Sequence, residues 1–222
     1  MTRTTKIALG LVAAVALSST PAMADVICPD QTPKVYVVRP TANNAIPDNN
    51  QAGRSVSIMV PEDDPSCPLI WDLDVDVIIR HTWQGDLRLT LTGPGGQQVV
   101  LMDRPGTEAG VSTFGYSNNN LGNPGNQTPF IFDDEAAQTY DVPQIPRPGL
   151  NSPTGNWRPE NPLSGFDQLP KAGLWTLSVV DNAAGDTGVI EQFSLHFVNK
   201  VPEPASLALL GIGALALIRR RR

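Results

Sequence analysis

The chain is short of the residues that most enzymes and helical proteins rely on. In 222 residues it has two histidines, two cysteines and few long helix-forming runs, against 21 prolines and 19 glycines. The scarcity of histidine bears on catalysis, because a serine hydrolase needs a nucleophile, a histidine base and an orienting carboxylate. No G-x-S-x-G or subtilisin-like motif surrounds any serine. His81 shares a strand face with Leu73, Val75, Val77 and Ile79, which predicts a buried structural ring, and His196 lies opposite the face of Phe193, Leu195 and Phe197, which turns it to solvent. With no third group to mark a Cys/His site, Cys28 and Cys67 are expected to pair as a disulfide in an oxidising compartment. On the chain-entropy account that bridge stabilises the fold by roughly 4 kcal/mol.

Positive charge is also scarce where it counts. The formal net charge is −6, but residues 25–200 hold 10 basic against 21 acidic residues, a net of −11. Such a surface argues against nucleic acid as a partner and fits either metal cations or simply a soluble acidic exterior. Long apolar runs are missing from the middle of the chain altogether.

What is present is strand pattern. Residues 71–80 alternate strictly, with Leu73, Val75, Val77 and Ile79 on one side and Asp72, Asp74, Asp76, Ile78 and Arg80 on the other. Gln84-Gly85 interrupts the run. Leu87, Leu89 and Leu91 then alternate with Arg88, Thr90 and Thr92, and Gly93-Pro94-Gly95-Gly96 is a turn after which residues 97–101 return. The expectation is three linked antiparallel strands covered by a second sheet, a jelly-roll-type antiparallel β-sandwich with an all-β core. Later alternations place Trp175, Leu177 and Val179 on one face of a strand, and Phe193, Leu195 and Phe197 on another. Val75, Val77, Ile79, Leu87, Leu89, Leu91, Leu177, Val179, Phe193 and Leu195 are the expected core. Residues 34–39 read as an edge strand; the long irregular stretch 103–126 is expected to be functional or pinned by something other than packing, and 143–170 is a second irregular region.

The two ends read as addresses. Arg3 and Lys6 precede an apolar run over residues 7–17, and Ala22-Met23-Ala24 supplies an A-x-A cleavage site, so residues 1–24 form a secretory signal peptide. At the other end Pro202-Glu203-Pro204 leads into fourteen apolar residues, 205–218, and then Arg219-Arg220-Arg221-Arg222. Fourteen residues at ~1.5 Å each fall short of a ~30 Å hydrocarbon core, so a span must borrow from its flanks while the arginines stay on the cytoplasmic side.

Several of these motifs resemble known families. H-T-W-Q-G-D-L-R-L-T-L-T-G-P-G-G from His81, F-D-D-E-A from Phe132, W-R-P-E-N-P-L-S-G-F from Trp157, G-L-W-T-L-S-V-V-D from Gly173 and the closing F-S-L-H-F stand in the order seen in the P domain (P/Homo B domain), the β-sandwich that follows the subtilisin-like catalytic domain of proprotein convertases. Departures are small: Ile190, Phe193 and Trp83 stand where the family usually has Leu, Trp and Tyr. The P-E-P, apolar run and arginine tail resemble the PEP-CTERM sorting signal of Gram-negative bacteria, which implies an exosortase as processing partner, transient inner-membrane anchoring, and a final place at the cell surface or outside it.

These readings divide the chain into a signal peptide (1–24), a lead-in (25–45), a P-domain-like sandwich (46–198) and a sorting segment (199–222). No catalytic residue is assigned, and a protease label would come only by association with the convertases. Calcium is the one cofactor to consider, since it takes several carboxylates and carbonyls held by loops. Asp133 and Asp134 lead the candidates, with Asp86 and Asp76; Glu135, the Asp72/Asp74 face, and Asp181 and Asp186 flanking the last hairpin add further carboxylates, in no EF-hand or nonapeptide spacing. Three roles follow: a non-catalytic exported module binding extracellular polysaccharide or a surface protein, a carbohydrate-binding module of the matrix, or an accessory domain for a separate subtilisin-like protease. Exposed tryptophans would favour the second.

Overall fold

A computed structural model describes residues 33–63, 65–107, 112–140 and 150–198. Among these residues the regular structure is almost all strand. The strands are β1 (Lys34–Val38), β2 (Ala45–Ile46), β3 (Asn50–Val60), β4 (Leu73–His81), β5 (Leu87–Thr92), β6 (Gln98–Asp103), β7 (Phe130–Phe132), β8 (Gly155–Trp157), β9 (Gly173–Asp181) and β10 (Gly188–Phe197). Two 3-10 turns, Gln84–Asp86 and Leu163–Phe166, interrupt them. One sheet runs β1-β10-β4-β7-β8, with β2 also on β10, and the other runs β3-β9-β5-β6. All pairings are antiparallel except β7 with β8.

The period-two pattern explains the core. The ten expected core residues are all buried, and side chains from both sheets meet in a single cluster with Trp175, Phe197, Phe130 and Phe132 among the largest. Trp175 and Phe166 pack edge to face at 5.0 Å, and Trp175 meets Phe197 across the sandwich at 5.7 Å. At ~25 cal/mol per Å² of apolar surface, each such ring contributes a few kcal/mol to folding.

One expectation is corrected. β4, β5 and β6 were read as three neighbours in one sheet, yet β4 lies in the first sheet and β5 and β6 in the second. The interruption at Gln84-Gly85 is a crossing rather than a hairpin. Gly85 takes it because a Cβ there would sit 2.4 Å from the carbonyl oxygen of Phe114. The apolar faces of β4 and β5 therefore oppose each other across the core instead of lying side by side.

Gln84 is what pins the irregular stretches. Its side chain is buried; its amide donates to the carbonyls of Asn119 and Leu150, each at 2.9 Å, and to that of Asn120, while its oxygen accepts from the Tyr140 hydroxyl. A single amide thus ties three loop segments to the crossing between the sheets. Cys67 is buried and disulfide-bonded, and no described cysteine is free; Cys28 lies outside the described residues, as do the signal-peptide and sorting segments. Among the described residues no helix is long and apolar enough to cross a membrane.

Candidate functional site

The densest chemistry lies on the outer face of the first sheet, at the end where the chain leaves it. Alternation along β4 turns Asp74 and Asp76 outward, with Asp72 just before the strand, and pairs Asp74 with His196 of β10. β7 ends at Phe132, and the chain turns tightly through Asp133, Asp134 and Glu135. Asp133 holds the turn: its Oδ1 accepts the Glu135 N–H at 2.7 Å and its Oδ2 accepts from the Asn156 amide at 2.6 Å. One carboxylate oxygen each from Asp72, Asp74 and Glu135 then lie within 4.8 Å of one another.

The electrostatics show how crowded this is. Burial, then the charge of Asp133, then that of Asp72, push Asp74 up to about 7, with Glu135 adding and His196 opposing. His196 is itself raised, first by its hydrogen bond to Asp76, against the effect of burial, and then by the charges of Asp76 and Asp74. That bond runs from Nε2 to Asp76 Oδ2 at 2.8 Å. Asp76 lies opposite Ser194, yet it bonds to His196, one row nearer Asp74, so its carboxylate leans toward the cluster. Its Oδ1 is buried and has no hydrogen-bond partner. Three convergent carboxylates, with Asp74 pushed up to about 7 by burial and its neighbours, make a donor set that suits a hard divalent cation.

The four named candidates separate. Neither Asp133 nor Asp76 is among the three convergent carboxylates: Asp133 borders them through the turn it holds, and Asp76 is bonded to His196, the cross-strand partner of Asp74. Asp134 faces the other way, its two oxygens accepting the N–H groups of Leu163 and Ser164, each at 2.8 Å, so it caps the Leu163–Phe166 turn. Asp86 is at the opposite end of the sandwich, in the buried crossing. Burial, then Asp181 and Asp186, push it up to about 6, against the charges of His81 and Arg104. There His81 bonds through Nε2 to Asp181 Oδ2 at 3.1 Å and through Nδ1 to the Trp83 carbonyl at 2.8 Å. Both residues are buried, as the strand pattern required of His81.

None of the four tryptophans is fully exposed. Trp157 and Trp175 are buried, Trp71 and Trp83 are half-buried, and the Trp83 ring N–H is spent on the Phe114 carbonyl at 2.7 Å. Gln84 is the structural position that the sequence does not disclose. Its signal was there, a polar residue at the break between two apolar strands, but nothing local said that it was buried.

The chain is thus an all-β sandwich with an acidic, loop-supported centre, and each of its two histidines is engaged by a carboxylate. Residues 70–125 match the model of the proprotein convertase P-domain, and residues 200–222 match the PEP-CTERM protein-sorting motif. The chain thus resembles a P domain carrying a sorting signal for export. It is similar to proteins named calcium-dependent protease from Nostoc sp. and Trichormus variabilis, each 28% identical over 159 residues, covering 70% of this chain and 18% of the relative. The chain spans less than a fifth of the length of those relatives. Among solved structures it is similar to the serine protease of Aeromonas sobria, alone (16% identity, TM-score 0.44, 74% of this chain and 26% of that one) and with its chaperone (16% identity, TM-score 0.45, 77% and 27%).

Proposed function

We propose that this chain is a non-catalytic exported module: a P-domain-like sandwich that binds calcium at its tail-side acidic centre and reaches the cell surface through exosortase processing. The observation that carries the non-catalytic reading is the state of the two histidines. Each ring is bonded to a carboxylate, and among the described residues no hydroxyl or thiol is hydrogen-bonded to either. A nucleophile without an adjacent base has no activation. The P-domain match also falls on the sandwich, and the protease activity named for the relatives belongs to chains that this one spans by less than a fifth.

Asp72, Asp74 and Glu135 would hold the calcium, with Asp133 adding charge and Asp76 its free oxygen. The ion would neutralise a repulsive cluster and join β4, β10 and the turn after β7. Calorimetric titration with calcium, after stripping with chelator, is expected to show one site that Asp74→Asn weakens at least tenfold; equal binding by that variant removes the site. The division into signal peptide, lead-in, sandwich and sorting segment is tested in cells with and without the exosortase, by C-terminal mass spectrometry. Processing is expected near Pro202-Glu203-Pro204. Persistence of Arg219–Arg222 on the bulk of the mature protein would mean that the segment is an anchor.

A further inference from the structure

We propose that the tail-side end of the sandwich is a membrane-contact surface, on which the domain rests against a zwitterionic lipid bilayer while its C-terminal segment is inserted; this rests on the sorting reading above. Three observations lead there. The first is direction. β10 ends at Phe197, in register with Leu73 and packed on Trp175, and the Val198 N–H donates to the Asp72 carbonyl at 3.0 Å, so the chain departs from this end. The second is reach. Six residues, 199–204, separate Val198 from the apolar run that starts at Ala205. Fully extended they span about 20 Å, less than the ~30 Å length of a nine-residue strand such as β9. An inserted tail therefore keeps this end within about 20 Å of the bilayer.

The third observation is composition. Apolar side chains are exposed at this end: Met59 at 65%, its cross-strand partner Leu174 at 50%, and Leu169 at 39%. Beside them opens an apolar cavity of about 230 Å³, with Phe166 and Trp175 in its wall and Pro94, Leu169 and Pro170 around it. Half-buried Trp71 stands next to the exit, an amphipathic ring of the kind that settles at the headgroup level. Exposed apolar residues are ordinary, and the far end has Phe114 and Leu150, but those at the tethered end gain contact with the interface at little further cost in translational freedom. The same end carries Glu62 and Asp63 in the turn after β3 together with the carboxylates of the acidic centre, and residues 25–200 have a net charge of −11, so a strongly anionic surface is disfavoured.

The test uses the full chain, tail intact, reconstituted into phosphatidylcholine vesicles with brominated acyl chains. A polarity-sensitive fluorophore is placed at Met59→Cys, at Leu174→Cys, or at Ala184→Cys in the far hairpin, under non-reducing conditions. Insertion of the tail is scored separately by protection of Arg219–Arg222 from added trypsin. Quenching of about twofold or more at Met59→Cys and Leu174→Cys, with none at Ala184→Cys, is expected, and weaker quenching on vesicles rich in phosphatidylglycerol. Tail protection with no quenching at the two rim positions overturns the contact surface and leaves the sorting reading standing. Equal quenching at all three positions overturns it too. Crosslinking of copies through Met59→Cys without lipid quenching assigns the rim to self-association and overturns it as well. A tail that does not insert overturns both readings.

Discussion

Asp86 shows how one residue can set a pH dependence. It sits in the buried crossing, and burial with its carboxylate neighbours lifts it from the ordinary value of 3.8 to about 6. The folded state therefore keeps a proton that the unfolded chain has already released. Its contribution to stability is fully present below pH ~4 and is lost as the pH rises through ~6. Asp86→Asn keeps the shape and removes the charge. The variant is expected to melt higher than the parent at pH 8 and to converge with it near pH 4, in thermal scans with chelator present. A gap that stays constant across that range would show that Asp86 acts through something other than its charge.

Within the elements, the informative contact joins two loops that are far apart in sequence. Asp134, in the turn after β7, accepts both free N–H groups at the start of the Leu163–Phe166 turn. That turn supplies Leu163 and Phe166 to the core, and Phe166 packs on Trp175. A turn this short has no helical ladder to stabilise it, so the cap and the two buried side chains carry it. Asp134→Ala is expected to cost about 2 kcal/mol in urea unfolding and to speed hydrogen exchange at the Leu163 and Ser164 amides selectively. Asp134→Asn should recover part of it, since its carbonyl oxygen accepts one of the two bonds. Unchanged exchange at those amides in Asp134→Ala would show that the cap is not what holds the turn.

On the scale of the whole molecule, the tail-side end gathers several kinds of constraint. The chain enters through β1 and leaves through β10 there, and the disulfide of Cys67, the acidic centre and the apolar rim all lie near it. The opposite end is held by polar contacts inside the fold, with His81, Asp181 and Gln84 in place of covalent ties. If the bridge runs from Cys28 to Cys67, it closes a loop of about forty residues, and reducing it is expected to lower stability by roughly 4 kcal/mol. Denaturant melts with and without reductant measure this, and intact mass reports the two hydrogens gained. Melts that coincide after complete reduction would place the stability of this end in packing alone.

The sequence by itself determined which residues face inward, because strand periodicity depends only on local alternation. Val75, Val77, Ile79, Leu87, Leu89, Leu91 and His81 are buried as that pattern demands. It also determined the order of the motifs. It could not determine which strands are neighbours, since alternation is the same whether β5 lies beside β4 or across the core from it. The tertiary structure decided that, through a buried amide at Gln84 and a glycine with no room for a Cβ. It also sorted the aspartates, which look alike in sequence. Asp134 became a cap and Asp86 a buried acid in the crossing, while Asp72, Asp74 and Glu135 converged from two strands and a turn. A carboxylate takes its role from the groups that fold around it, and those come from elsewhere in the chain.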